Sequence, residues 1–415
     1  MTYRLLTGTY VIRYPESPTN GPEPDGDTLK FRPDDPALVE DLARISGTQP
    51  GLSRQHRVSL RLEGVDALET HFAGAHQELG LANAARDHLL AALGFRDVVF
   101  RTDRPNQVES ANADELPGWI LTNGVEGHGR LVSFVFTGTP PMANGAEVFL
   151  DDALLRWSVN RDLLARGLCY PMLYSTLPTA LRVALAGLAA AARDARAGVW
   201  EHGTADPVSV ASVDGLDDVE DVVMWPKLFR RLVSFFAGGS DDLADFDAWL
   251  RADRKDRDDA LLLLDTGEVG NMHDVVEATT GKVRLTRWPD TFVVLPDPAT
   301  IGPAPVPPPR TSAVRIVAAL VKPAGTDAGA ETVSLLNATA SRIDLRGWEI
   351  GDATGRADTL ELEVGPGDVA RIVLRNARLA DDGGTILVRN PAGSVVDRVA
   401  YARRAVPREG ASMTF

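Results

Sequence analysis

The chain has 415 residues, 44% of them hydrophobic and 24% charged, with a net charge of −15 and a single cysteine. That composition excludes disorder throughout, and the length exceeds one ordinary domain, so two or three are expected. No apolar run reaches the roughly 18 residues that a membrane-spanning helix needs, and the lone Cys169 excludes an internal disulfide.

Charge is unevenly spread. Residues 1–200 hold 19 basic and 24 acidic side chains, residues 201–300 hold 10 and 21, and residues 301–415 hold 14 and 13. A protein that coats nucleic acid carries a net basic face, so the balance argues against bulk electrostatic binding. It leaves room for a short basic channel leading to a catalytic centre. The opening MTYRLLTGTYVIRYPES lacks a basic stretch followed by an apolar core. No secretory signal is expected there, and a cytoplasmic location is the expectation. Cys169 reads as a small core hydrophobe.

In chain order, Gly8–Tyr14 and Thr28–Phe31 read as strands joined by a Pro- and Gly-rich connection. Asp35–Ile45 has helical spacing. Val58–Leu62 alternates apolar and polar residues as a half-buried strand does, and breaks at Gly64. A helix around Leu81–Leu93, a strand at Val98–Arg101, a polar excursion over Thr102–Glu115 and a strand at Leu131–Phe136 follow. Helices at Val159–Arg166 and Pro178–Ala197 close the region, the second with Pro in its first turn and Gly198 just past its end. Short strands with a few helices suggest a small barrel with helices packed on it.

Beyond residue 202 the sequence turns acidic. Helices are expected at Pro226–Phe236 and Asp245–Ala252, with a hairpin over Lys282–Leu295. The charge run Asp253–Asp259 reads as a solvated loop or helix end. Leu295–Arg310 carries seven prolines and reads as an extended linker. Thereafter short strands recur at about ten-residue spacing with Gly, Asp and Asn turns, the pattern of a β-sandwich.

The stretch VSLRLEGVDALETH, Val58–His71, carries the chemistry: a strand bearing Arg61 delivers Asp66 and Glu69 at its exit. Asp25-Gly26-Asp27-Thr28 precedes another strand, and Gly127-His128-Gly129-Arg130 opens a third. Taken singly, each is ordinary: a tight turn, surface acids, a glycine-flanked Arg. Together they make a good recipe for a metal-phosphate site. A hard cation takes anionic oxygens, a carboxylate accepts a proton from water, and planar guanidinium groups match the charge on equatorial phosphate oxygens. His71 and His76 follow Glu69 and read as exposed loop histidines.

In order and spacing these segments resemble the staphylococcal nuclease (thermonuclease-like) family. Its pattern runs DGDT, R-x4-D-x-P-E, Y-G-R, V-N-x2-L and a long helix ending in Trp. Here Asp25–Thr28, Arg61, Asp66, Glu69, Gly129-Arg130, VNRDLLARGLC from Val159 and RDARAGVW ending at Trp200 match it. The match spans about residues 3–202, with insertions at 34–57, 102–124 and near 137–157. The resemblance implies an OB-fold-type small β-barrel with helices (α+β) and a Ca²⁺-dependent nuclease, with another divalent cation as an alternative. It further implies Asp27, Asp66 and the Ala67 carbonyl as metal ligands, and Glu69 as the general base. Arg61 and Arg130 would sit on the scissile phosphate of DNA, RNA or both. His128 and Tyr174 fall at or near substrate-contacting positions. Leu68 replaces the family's Pro and His128 its Tyr.

The carboxy-terminal strands, with ETVSLLNATASRIDLRGWEIGD (Glu331–Asp352), the turn at Gly365 and GSVVDRVAY (Gly393–Tyr401), resemble a lamin tail domain. That implies an immunoglobulin-like β-sandwich whose partner the sequence does not name, with Trp348 in its core. The expected organisation is a multidomain chain. It comprises a nuclease-like domain over 1–202, a mostly helical acidic middle region over 203–294, a linker over 295–310 and the sandwich over 311–415. The main alternative to an enzyme is an inactive barrel retained to bind nucleic acid or protein. A further reading lets the acidic middle region compete with nucleic acid and hold the site idle.

Overall fold

The computed structural model describes residues 2–17, 20–44, 47–240, 242–253, 256–295, 312–325, 330–352, 355–381, 383–402, 406 and 409–415. Apart from Leu295, the expected proline linker lies outside the described residues. The chain divides into two compact units, residues 1–306 and 307–415.

The first unit opens with strand β1 (Thr2–Val11), β2 (Thr28–Pro33), the short helix α1 (Ala37–Glu40), β3 (Val58–Leu62) and β4 (Gly64–Asp66). Then come α2 (Leu79–Ala92), β5 (Val99–Phe100), β6 (Val108–Ser110), β7 (Glu115–Val125), β8 (Leu131–Phe136) and β9 (Glu147–Phe149). Helices α3 (Asp152–Leu155) and α4 (Val159–Ala165), strand β10 (Tyr170–Met172) and helices α5 (Thr179–Asp194) and α6 (Val199–His202) complete this half. Strands β1, β2, β3, β8 and β7 pair in that order, and β7 returns to β1, closing a five-stranded barrel. Every pairing in the ring is antiparallel except β3 with β8. The arrangement is compatible with an OB-type barrel. Tyr3, Leu5, Leu60, Leu121, Phe134 and Phe136 are wholly buried in its core.

Residues 102–124 read as an insertion from sequence, yet Glu115–Val125 forms β7, paired on both sides by β1 and β8. Pro117 and Gly118 obscured it, since both are uncommon in a central strand. The glycine is required: a Cβ there would lie 2.2 Å from the Tyr10 ring and 2.9 Å from the Phe136 carbonyl. Tyr10 crosses the barrel wall at this gap, its hydroxyl donating to the Trp119 carbonyl at 2.7 Å and accepting the Phe136 amide at 3.0 Å. The helix expected over Asp35–Ile45 shrinks to the single turn α1.

The middle region is mixed, not mostly helical. It holds α7 (Leu216–Glu220), α8 (Pro226–Ala237) and α9 (Phe246–Arg251) beside two three-stranded sheets. One sheet joins Ala211–Ser212, Lys282–Leu285 and Val276–Thr279; the other joins Val269–Asn271, Ala260–Leu263 and Phe292–Val294. The hairpin expected over Lys282–Leu295 is therefore absent, its two strands belonging to different sheets. In the charge run, Asp258 is wholly buried against His273, and Asp259 pairs with Lys227 and Arg231. Asp259 thus ties down α8, Asp258 ties down the segment at His273, and neither is a solvated surface acid. Trp225, Phe229, Phe235, Phe246 and Phe292 belong to the same hydrophobic core as the barrel.

The second unit is rich in sheet. One four-stranded antiparallel sheet runs Val369–Val373, Thr332–Asn337, Val314–Leu320 and Met413–Thr414. Another runs Ala357–Thr359, Glu349–Asp352, Gly383–Arg389 and Val395–Ala402. Val314, Ile316, Leu335, Ile350, Ile386 and Val388 share a separate core, with Trp348 packed partly buried against it. Among the described residues no helix is long and apolar enough to cross a membrane.

Candidate functional site

Asp27 reaches the site through a close approach that only glycine permits. The Asp25–Thr28 turn is closed by the Asp25 amide donating to the Thr28 carbonyl at 2.9 Å. A Cβ on Gly26 would lie 2.5 Å from the Ala67 Cβ and 2.9 Å from the Ala85 Cβ of α2. Without that Cβ the turn presses directly on the exit of β4, so the Ala67 amide donates to Asp27 Oδ2 at 3.3 Å. The Thr28 hydroxyl donates to the other oxygen at 2.9 Å.

Arg61 stands opposite Thr28 in the β2–β3 pairing. That register carries its guanidinium over the turn, where it is ion-paired with Asp27 and donates from Nη2 to Asp66 Oδ1 at 2.8 Å. Asp66 is held by pairing of β4 with β10 and has no solvent exposure. Buried carboxylates of this kind persist only when they are paired and hydrogen-bonded.

Glu69 is fixed by contacts that do not come from the barrel. Its amide donates to Gln77 Oε1 at 3.2 Å, its carbonyl accepts the Gln77 amide at 2.9 Å, and Gln77 Nε2 donates to the Met224 carbonyl at 3.0 Å. The Glu69 carboxylate is ion-paired with Arg230 of α8. From its other terminal nitrogen Arg230 donates to Asp66 Oδ1 at 3.1 Å and Oδ2 at 3.2 Å. The His76 amide donates to Glu220 at 3.1 Å, and the Phe72 and Phe229 rings meet edge to face. The loop that presents Glu69 is thus clamped along residues 69–77 by segment 220–230.

Electrostatics follow from this packing. Burial works to raise the Asp27 pKa, but the guanidiniums of Arg61, Arg130 and Arg230 outweigh it and the net shift is downward. Glu69 moves upward, because its burial and the charges of Asp27 and Asp66 prevail over Arg230. Asp25 is driven well above its ordinary value by burial and by the nearby Glu69 and Asp27 charges. Cys169 is buried beside the cluster and its thiol is pushed well up, mainly by burial, which suits an inert core thiol.

The remaining sequence candidates divide. Tyr174 lies two residues past β10, the strand that pairs with β4 at Asp66, and it acts electrostatically on Arg61. Arg130 influences Asp27, but its Nε donates to Glu126 Oε1 at 3.1 Å and its amide binds the same oxygen at 3.1 Å. His128 is directed to solvent, with 83% of its side chain exposed and Nδ1 2.9 Å from Glu126. Asn160, in the VNRDLL segment, is a structural staple. It accepts the Val135 amide at 2.9 Å and donates to the Glu63 and Ser133 carbonyls at 2.9 and 3.0 Å. Of the functional residues that sequence reading missed, Arg230 is the most consequential. Its only sequence signal is a pair of arginines on an amphipathic helix.

The donor chemistry suits a hard divalent cation, because Asp27 and Asp66 bring carboxylate oxygens to one positive centre, here the Arg61 guanidinium. Among the described residues no group of three or more His, Cys, Asp or Glu side chains is placed to hold a metal. A bound ion would draw on backbone oxygen or water besides these two acids. No protein-family model matches the chain. Nor does any curated protein.

Proposed function

We propose that the first unit is a nuclease that hydrolyses phosphodiester bonds of DNA or RNA with the help of Ca²⁺. The observation that carries the reading is the convergence of Asp27, Asp66 and Glu69 with Arg61 at one corner of a closed barrel. The thermonuclease-like order of the motifs adds support from sequence. Asp27, Asp66 and the Ala67 carbonyl would hold the cation, which when bound supplies Lewis-acid polarisation of the phosphoryl group. Glu69 takes the proton from the attacking water as the new P–O bond forms. Its raised pKa makes it a stronger base than a surface glutamate. As the bond to the leaving sugar oxygen breaks, that oxygen takes a proton from solvent. Arg61 and Arg130 bind the equatorial oxygens, where fixed charge lowers the barrier most. Tyr174 borders the same corner, and His128 lies on the solvent side of the Arg130 turn.

One observation favours a second reading, an inactive barrel that binds nucleic acid: both ligand carboxylates and Glu69 are already ion-paired with arginines. Digestion of plasmid and single-stranded DNA and RNA, with Ca²⁺ and then with excess chelator, separates the two. Cleavage that the chelator stops supports the nuclease; binding without cleavage under all metal conditions removes it. The second unit, lamin-tail-like in sequence, is proposed as an immunoglobulin-like tether for the enzyme.

A further inference from the structure

Arg230 enters the acid cluster from outside the barrel, on a helix whose other face is locked. Leu228, Phe229 and Leu232 are wholly buried and Val233 nearly so, in the core shared with the barrel, while Lys227 and Arg231 pair with Asp259. Withdrawing α8 would expose that apolar surface to water, which the hydrophobic effect strongly opposes. The guanidinium therefore belongs to the site as a fixed component, not as a plug that swings away.

Its placement beside Arg61 is the informative feature. Asp66 Oδ1 accepts from Nη2 of Arg61 at 2.8 Å and from Nη2 of Arg230 at 3.1 Å. Those two bonds place the nitrogens no more than 5.9 Å apart. Two permanent cations at that separation repel each other, and Arg61 indeed opposes protonation of Arg230. The pair is stable because Asp27, Asp66 and Glu69 surround it. Paired guanidiniums present planar donors in forked geometry, an arrangement suited to a tetrahedral oxyanion.

We propose that Arg230 is a third phosphate-binding arginine, which grips the same phosphodiester phosphate as Arg61. The middle region then supplies part of the substrate site. This rests on the nuclease reading for the identity of the substrate, but the binding of phosphate to Arg230 can be tested without activity.

The test uses the full-length chain and inorganic phosphate as probe, with affinity read by titration calorimetry. Arg230→Ala is expected to weaken phosphate binding about 10-fold or more. It is also expected to lower kcat/KM on single-stranded DNA by about 10²-fold. Arg230→Lys should recover part of the affinity, because it restores charge without the fork. Circular dichroism establishes folding, and Arg230→Gln replaces the Ala variant if the latter does not fold. Unchanged phosphate affinity in a folded variant, or no phosphate binding by the parent protein, overturns the proposal. Raised activity in Arg230→Ala would also overturn it, since Arg230 would then be a restraint. Arg230-dependent phosphate binding without cleavage leaves this inference standing and removes the nuclease reading. Cleavage that is indifferent to Arg230 does the reverse.

Discussion

The side-chain oxygen of Gln77 accepts the Glu69 amide at 3.2 Å, and its nitrogen donates to the Met224 carbonyl at 3.0 Å. One fully buried amide thus ties Glu69 to a segment that is about 150 residues away in sequence. Gln77→Ala leaves the Met224 carbonyl and the Glu69 amide without this partner, at about 1–3 kcal/mol each. A melting temperature lower by several degrees is expected, with activity falling further than the loss of folded protein explains. Thermal melts paired with initial rates at low temperature check it; full activity in the folded fraction would contradict it.

Arg61 and Arg130 should differ in what they cost the fold. Either alanine variant is expected to lose about 10²–10³ in rate, on the order of 3 kcal/mol in the barrier. Arg61→Ala also strips Asp27 and the solvent-inaccessible Asp66 of a buried cation, so it should melt markedly lower. Arg130 is part-exposed and paired mainly with Glu126, so Arg130→Ala should melt close to the parent. Rates and melts on the two variants separate catalytic from structural loss. Half-maximal activity in either refutes the assignment.

Asn160 makes three side-chain hydrogen bonds to β8 and the β3–β4 corner while wholly buried. Replacing it with alanine opens those partners, and the loss should be roughly 3 kcal/mol or more. Urea denaturation measures this. Asn160→Asp should fare no better, since a carboxylate cannot donate to the Glu63 and Ser133 carbonyls.

Glu63 sits buried at that corner, its Oε1 accepting from Asn123 Nδ2 at 3.0 Å. Burial lifts its pKa from 4.5 to about 7, offset in part by the hydrogen bond from Asn123. The folded state then holds a proton that the unfolded state has released. Stability is fullest below about pH 4.5 as far as this group is concerned, falls as pH rises, and levels off above about 7. The full drop is about 3 kcal/mol. Glu63→Gln should flatten the slope between those limits and raise stability at pH 8. Urea midpoints from pH 5 to 8 in both proteins check the sign, and an unchanged slope in the variant would refute it.

Much of the barrel half was legible because its signals are local. Val58–Leu62 alternates, Leu131–Phe136 is an apolar run, and Pro178 and Gly198 bracket a helical segment, so these elements fall within a few residues of expectation. Strand β7 was hidden because Gly118 answers to Tyr10 and Phe136, which only the closed barrel brings near, and because Pro117 lies where β7 pairs with β1 and not with β8. Arg230 was hidden for the same reason on a larger scale. On an amphipathic helix, neighbouring arginines at 230 and 231 read as a wet face, yet both bind acids supplied by distant segments. Asp258 and Asp259 misled in the same direction, since a dense run of charges gives no sign of which members will be buried.

The Val294 amide donates to the Leu173 carbonyl at 2.7 Å, and its carbonyl accepts the Ser175 amide at 3.0 Å. During synthesis on the ribosome, the strand partner of the segment around Tyr174 therefore emerges more than a hundred residues after that segment. Arg230 likewise emerges long after the acids it binds. The nascent barrel must wait with Glu69 short of its counter-charge, and Asp66 paired with Arg61 alone, until translation has passed these positions. Assembly of the acid–arginine corner is thus a late event in the birth of the chain.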